Sequence, residues 1–265
     1  MFGDAALSDD RFLGGRLRLL QPRVGYRAAT DPVLLAAACP AEPGQSVLDL
    51  GCGAGAAALC LAVRVPSLTL AGLEVQPDYA DLARRNAARN NVAFEVHTAD
   101  LAEMPAVLRR DFDHVIANPP YFPAGGSPSP EPGRARAMQV ETPLADWVTA
   151  AARRLRPGGR LTLICGADGL PEVLSAMGQK LGSAAVLPLA PREGRAALRI
   201  ILQAKKGGRA AFRLLAPFVL HRGAAHDGDR ESYTDEAGAV LRDGAGLVAR
   251  FQAGKVNLSA QICNK

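Results

Sequence analysis

Residues 46–63 read SVLDLGCGAGAAALCLAV, and the fold follows from how this stretch is parsed. Ser46 to Leu50 is a short, mostly apolar run of the kind that forms a strand buried on both faces. It stops at the glycine-rich Asp49-Leu50-Gly51-Cys52-Gly53-Ala54-Gly55, and an Ala-rich helix over 56–63 follows at once. Strand, glycine turn and helix in immediate succession make the unit from which doubly wound sheets are built. The glycines let the chain turn sharply and leave no Cβ between backbone and ligand. The helix start beyond them offers unpaired N–H groups to an anionic group.

Working outward, strands and helices alternate. Upstream, RLRLL (16–20) alternates charged and apolar residues, which predicts a strand or hairpin arm. Asp31-Pro32 is expected to open a helix over VLLAAAC, with Asp as cap and Pro at the first helical position. Downstream come an apolar strand LTLAGLE (68–74) and a helix over 78–89, with Tyr79, Leu82, Ala83 and Asn86 on one face. AFEV (93–96) and DHVIA (113–117) read as strands. Thr142-Pro143 is expected to cap a helix whose stripe is Leu144, Trp147, Val148, Ala151 and Leu155, ending at Pro157-Gly158-Gly159. Strand RLTLIC, a helix over 171–181 and strands near 184–188 and 198–204 complete the pattern. This alternation predicts an α/β fold, a Rossmann-like doubly wound and mostly parallel sheet.

The expected organisation is an N-terminal arm and helix over 1–45 closing over the cofactor and a Rossmann-like core over 46–204. A basic extension of the same domain follows over 205–250, then a disordered tail over 251–265. The Pro/Gly/Ser-rich stretch 123–137 has no core-building pattern and reads as a lid or loop. At 265 residues, 48% hydrophobic, the chain has material for one large core. No apolar run approaches the roughly 20 residues that span a bilayer. The polar, acidic start MFGDAALSDDRF resembles neither a secretory nor a transit signal, so the expected compartment is the cytoplasm. The five cysteines contain no C-x-x-C pair, and no metal is expected. Formal net charge is +5, and it is concentrated: between Arg192 and Arg222 stand eight basic residues against the single Glu193. Such a tract is the footprint of a polyanion-binding face. Within it Lys205, Lys206 and Arg209, around the Gly207-Gly208 break, are the expected contacts to a polyanionic substrate.

Two motifs carry chemistry. A glycine-rich loop alone is shared with dinucleotide-binding enzymes, but a leading Asp49 offers a carboxylate to a ligand's ammonium group, as S-adenosylmethionine requires. Glu74, at the end of the second strand, is placed to accept hydrogen bonds from two ribose hydroxyls. Asp100 follows the third strand and is placed for the edge of an adenine ring, although Asp in that position is also a common helix cap. Asn118-Pro119-Pro120-Tyr121 follows strand DHVIA. The lone pair of a planar amino nitrogen is delocalised. Two acceptors, the Asn118 side-chain oxygen and the Pro119 carbonyl, would engage both of its hydrogens and aim the lone pair at a methyl donor. The prolines fix φ and remove competing N–H donors. Tyr121 provides a face on which an extruded base can stack.

VLDLGCGAG (47–55) and NPPYF (118–122) resemble the class I S-adenosylmethionine-dependent methyltransferases that carry an N-P-P-Y motif. GYRAATDPVLLAAA (25–38), LRPGGRL (155–161) and LQAKKGGRAAFRLLAPFVLH (202–221) are similar to the tRNA adenine-N6 methyltransferases acting on valine tRNA beside the anticodon. The resemblance covers roughly residues 12–243. It implies that Gly51, Gly53, Gly55, Glu74, Asp100 and Asn118 line the cofactor, with Cys52, Val75 and Leu101 beside them. It also implies that the segment from Tyr26 through Thr30 and Asp31 closes over the cofactor, and that the substrate is RNA. Alternatives are protein glutamine-N5 methylation, whose amide is also planar, and guanine-N2 methylation of rRNA. DNA adenine methylation, a small-molecule acceptor and a non-catalytic RNA-binding module are the remaining readings.

Overall fold

The computed structural model describes residues 1–120, 142–223 and 232–252. The chain begins with an antiparallel hairpin of β1 (Leu7–Phe12) and β2 (Leu17–Pro22), in which Leu7 pairs with Pro22 and Phe12 with Leu17. Helix α1 (Thr30–Ala38) then leads into the main sheet. Its strands are β3 (Ser46–Leu50), β4 (Thr69–Glu74), β5 (Phe94–Thr98), β6 (Phe112–Ala117), β7 (Leu155–Gly166), β8 (Leu181–Arg192), β9 (Arg199–Lys206), β10 (Arg213–Leu214) and β11 (Phe218–His221). Among the described residues the order is β10-β8-β9-β7-β6-β3-β4-β5, with β11 also on β8. Only β9 runs antiparallel to its neighbours, β7 and β8.

Helices cover both faces. On one face lie α1, α2 (Ala56–Arg64), α6 (Asp235–Leu241) and α7 (Val248–Gln252); Leu34, Leu35, Leu59 and Leu61 pack there with Ile116, Ile164 and Ile201 from the sheet. The other face is covered by α4 (Leu144–Arg154) and α5 (Leu170–Met177), with Trp147, Val148, Ala151 and Val173 over Leu48, Val115, Leu163 and Leu202. Adjacent strand residues therefore feed different layers, as a sheet covered on both faces requires. The expected doubly wound α/β architecture is present.

Four local readings change. Asp31 does not cap α1: the helix starts at Thr30, and the Asp31 carboxylate pairs with Arg199 across the sheet edge. Thr142 does not cap α4 either; its N-cap is Pro143, with no side-chain cap bond. Pro157-Gly158-Gly159 is a bulge rather than a break. Phe112 pairs with Leu155 but His114 with Arg160, so residues 156–159 have no ladder partners and form a bulge within β7. Gly159 is required there, since a Cβ would stand 2.9 Å from the Asp113 carbonyl oxygen. Finally, α5 ends at Met177, because Gly178 takes φ +50. Phe251, assigned to the tail from sequence, lies in α7 and is buried. Residues 123–137 and 253–265 fall outside the described residues.

The apolar face of α3 (Pro77–Arg89) carries one polar side chain, Asn86, fully buried. Its Oδ1 accepts from Leu20 N (2.7 Å), while Nδ2 donates to Leu20 O (3.0 Å) and Ala54 O (2.9 Å). One amide thus ties the hairpin and the glycine loop to α3. Each buried group left unpaired costs about 1–3 kcal/mol. Asn86→Ala is therefore expected to destabilise the protein by about 2–4 kcal/mol in urea unfolding, and Asn86→Leu to rescue none of it. A loss under about 0.5 kcal/mol in either variant would show that water replaces these bonds.

Candidate active site at the C-terminal sheet edge

Three parallel strands end side by side, Leu50 of β3 opposite both Leu73 of β4 and Ala117 of β6. Neighbouring strands lie about 4.8 Å apart, so Glu74 and Asn118 each stand about one strand spacing from the Gly51 loop, on opposite sides of it. This is the edge at which open α/β sheets bind ligands.

The glycine loop turns through positive φ at Gly51 (+65), Gly53 (+53) and Gly55 (+86), the last being the N-cap of α2. Gly51 has a further reason to be glycine: a Cβ there would stand 2.5 Å from Trp147 Cη2 on α4. Cys52 is buried between the sheet and α3, beside Ala80 and Ala83, and its thiol is pushed up by burial. Asp49 is 2% exposed. Its Oδ2 accepts from Ala58 N at 3.3 Å, so this carboxylate already uses one of the N–H groups expected to face an anionic ligand. Burial pushes its pKa up to about 8, the Ala58 bond opposing and Glu74 reinforcing the shift.

Glu74, 6% exposed, accepts from Gly53 N and Gln76 N, both at 2.9 Å. It thereby fixes the glycine loop to the end of β4, and burial raises its carboxyl. Each oxygen retains a lone pair for a ligand. Val75 beside it is 57% exposed, an apolar side chain left bare at the mouth. Asp100 and Leu101 follow β5, both half-buried; one Asp100 oxygen accepts from Ala102 N at 2.7 Å, so the residue serves as a turn cap and keeps its second oxygen open. Asn118 is half-buried, Pro119 buried and Pro120 exposed. Tyr121 lies outside the described residues.

The segment from Tyr26 to Asp31 lies at this edge. Tyr26 was read only as part of that segment, yet it reaches the centre. Its ring lies over Gly53, its carbonyl accepts from Tyr79 Oη at 3.0 Å, and its hydroxyl meets Asn118 Nδ2 at 3.4 Å. Thr30 and Asp31 stand behind it, held by Arg199. Nothing in sequence spacing marks Tyr26 or Arg199, and Trp147 reads only as part of a helical stripe.

The basic tract does not form one face. Arg192, at the end of β8, and Arg199, at the start of β9, lie at the active-site edge. Lys205 pairs with Arg160, where β7 enters the sheet. Six residues of strand cover about 20 Å, so Lys205 and Lys206 stand at the opposite edge. Lys206 Nζ also donates to Leu155 O, and Arg209 follows the exposed Gly207 turn at that same far edge. The expected RNA contacts Lys205, Lys206 and Arg209 thus stand a strand length away from the glycine loop.

The charge of the site discriminates between ligands. Asp31, Asp49 and Glu74 all bear on the Tyr26 hydroxyl. Such a surround opposes the pyrophosphate of a dinucleotide and suits a ligand carrying ammonium and sulfonium charges. Among the described residues there is no group of His, Cys, Asp and Glu able to hold a metal ion, and no helix long and apolar enough to cross a membrane.

Fold and site together define a class I S-adenosylmethionine-dependent methyltransferase, and the comparisons agree. Residues 29–187 match the family described as methyltransferase small domain, and the chain belongs to that family. A relative from Porphyromonas gingivalis, named tRNA1(Val) (adenine(37)-N6)-methyltransferase, is 33% identical over 62% of this chain and 68% of its own. A relative of the same name from Aeromonas hydrophila is 30% identical over 70% of this chain and 79% of its own. Among solved structures, a protein from Agrobacterium tumefaciens described as a predicted O-methyltransferase superposes with a TM-score of 0.65 at 27% identity, covering 81% of this chain and 97% of the other. The cofactor is S-adenosylmethionine.

If Asp49 meets the ammonium group of the cofactor, its pKa, pushed up by burial to about 8, makes binding pH-dependent. At lower pH the free protein carries a proton on Asp49, and a cationic ligand favours the ionised form. Binding then expels the proton, so affinity should rise with pH, by up to about tenfold per unit, and level off near pH 8. Calorimetry with S-adenosylmethionine at pH 6.5 and 8.5, in buffers of different ionisation enthalpy, should register proton release only at the lower pH. Equal affinities without proton release would remove Asp49 from ligand contact.

Proposed function

We propose that the chain methylates N6 of an adenine in tRNA, as the names of its relatives describe for them. The observation that carries this reading is Asn118-Pro119 at the end of β6, one strand spacing from the glycine loop of β3. The bound cofactor supplies an electrophilic methyl group. Asn118 Oδ1 and the Pro119 carbonyl accept the two hydrogens of the amino group, which shifts its lone pair out of the ring and directs it at that methyl. Pro119 and Pro120 have no N–H to compete for these oxygens. The methylated nitrogen is acidic and loses its extra proton to solvent, so no resident base is required. Tyr121 stacks on the extruded base.

The acceptor named for the Agrobacterium neighbour is an oxygen. Two hydrogen-bond acceptors serve an –NH2 group, whereas an alcohol has a single hydrogen to give. A glutamine amide satisfies the pair equally well; the names of the relatives favour the nucleobase. The exposed Arg195, in the β8–β9 turn at the active-site edge, is placed for RNA phosphate.

With unmodified tRNA, Asn118→Ala should cut single-turnover methyl transfer by about 10²-fold, by analogy with removal of one preorganised polar group, while cofactor affinity stays within several-fold. Nucleoside mass spectrometry should identify N6-methyladenosine, and it should be missing from one tRNA of a deletion strain. Methylated glutamine or N2-methylguanosine instead would overturn the substrate. Arg195→Ala should lower the salt slope of tRNA binding by roughly 0.7–0.9, the share of one phosphate contact, and Lys205→Ala should leave it unchanged. The reverse pattern would move RNA to the far edge.

A further inference from the structure

Tyr26 is held by features that have no other evident purpose. Gly25 takes φ +112, and a Cβ there would stand 3.2 Å from Tyr79 Oη. Glycine thus lets the chain approach α3 closely enough for Tyr79 to donate to the Tyr26 carbonyl. The ring lies over Gly53, where a Cβ would be 3.7 Å from Tyr26 Cε1, and the residue is 44% exposed. Its open face meets solvent while its hydroxyl end is enclosed.

Burial holds that hydroxyl protonated, and Asp31, the strongest charge acting on it, reinforces the effect. The side-chain amide of Asn118 lies 3.4 Å away, with Nδ2 toward the hydroxyl oxygen. Asp31 attracts the O–H and leaves the oxygen lone pairs toward Asn118. Of the two ends of an amide, only Nδ2 can donate to a lone pair. The Oδ1 end is then turned away from Tyr26.

We propose that Tyr26 is a positioning residue whose hydroxyl fixes the Asn118 amide so that Oδ1, and not Nδ2, faces the amino group to be methylated. This rests on the reading of Asn118 given above. An unfixed amide would present a donor to the amino group in its second orientation, and that orientation is unproductive. Arg199 belongs to the same arrangement, because it anchors Asp31, the carboxylate that orients the hydroxyl.

Tyr26→Phe preserves the ring over Gly53 and the backbone carbonyl bonded by Tyr79, so only the hydroxyl is lost. The expected result is a kcat about tenfold lower, with KM for tRNA and calorimetric affinity for S-adenosylhomocysteine within about threefold of wild type. In the Asn118→Ala background the same change should cost nothing further, since two residues acting through one group are not additive. A second readout needs no turnover. The Asn118 side-chain amide signal in a 15N-labelled protein, assigned by its disappearance in Asn118→Ala, should shift in Tyr26→Phe. A wild-type rate with an unmoved amide signal overturns the proposal. A fall in S-adenosylhomocysteine affinity as large as the fall in rate also overturns it and makes Tyr26 a cofactor clamp. If Asn118→Ala itself keeps the full rate, the reading of Asn118 fails, and the amide signal still decides whether Tyr26 holds it.

Discussion

The parallel pairing of β3 with β4 on one side and β6 on the other is the constraint from which the site follows. Leu50 is level with Leu73 and with Ala117, so three loops far apart in sequence leave the sheet together. Parallel strands cannot be joined by tight turns. Most of the crossovers here carry a helix over a face of the sheet; the β5–β6 connection is the exception, with only a short 3-10 turn at Ala106–Leu108. Those helices bury the strands on both sides and leave only the strand ends open. A polar site is therefore excluded from the faces and obliged to form at an edge. The choice of edge is set by the direction of the strands, because the crossovers place the N-terminus of α2 and the end of β4 at the same end.

Placing Asp49 and Glu74 at that edge is costly. Both are nearly inaccessible to water, and burial disfavours their charged forms. Backbone N–H groups offset part of this: Ala58 for Asp49, Gly53 and Gln76 for Glu74. The compensation also imposes order, since the Glu74 bonds hold the glycine loop against the end of β4. What remains uncompensated raises both carboxyls, Asp49 to about 8, and so favours their protonated forms in the free protein. A ligand bringing positive charge favours the ionised forms, so the same carboxyls suit a cationic ligand and shape the loop that receives the cofactor.

Much of this was legible in the sequence because it is local. Strand, glycine turn and helix are contiguous, and residues 46–63 reveal β3, the loop and α2 with the correct ends to within a residue. Asp49, Glu74 and Asn118 each close a strand, and a strand end is visible in periodicity. Less legible were features made by contacts between distant segments. Asp31 next to Pro32 has the form of a helix cap, yet tertiary pairing with Arg199 overrides it. Pro157-Gly158-Gly159 has the form of a break, but a bulge lets β7 continue through it. Asn86 looks like an ordinary member of the α3 face until Leu20 and Ala54 supply its partners. Tyr26 gives no local signal, because its importance arises from Asn118, which is 92 residues away.

The basic tract shows why composition and placement differ. Eight cations within 31 residues form a patch only if the chain folds back on itself over a short distance. Here β9 runs antiparallel from the active-site edge at Arg199 to the far edge at Lys206, and one strand crossing separates the tract into two groups. The group at the active edge is further reduced: Arg192 donates to the carbonyls of Arg222 and Gly223, Arg222 pairs with Asp235, and Arg199 holds Asp31. A guanidinium spent on carbonyls keeps its charge but loses donors for phosphate, whereas Arg195, on the turn, is exposed at the mouth. Net charge along a sequence therefore measures attraction to a polyanion at a distance. Contact is decided by which strand end each cation occupies, and that depends on strand direction, which a linear count does not contain.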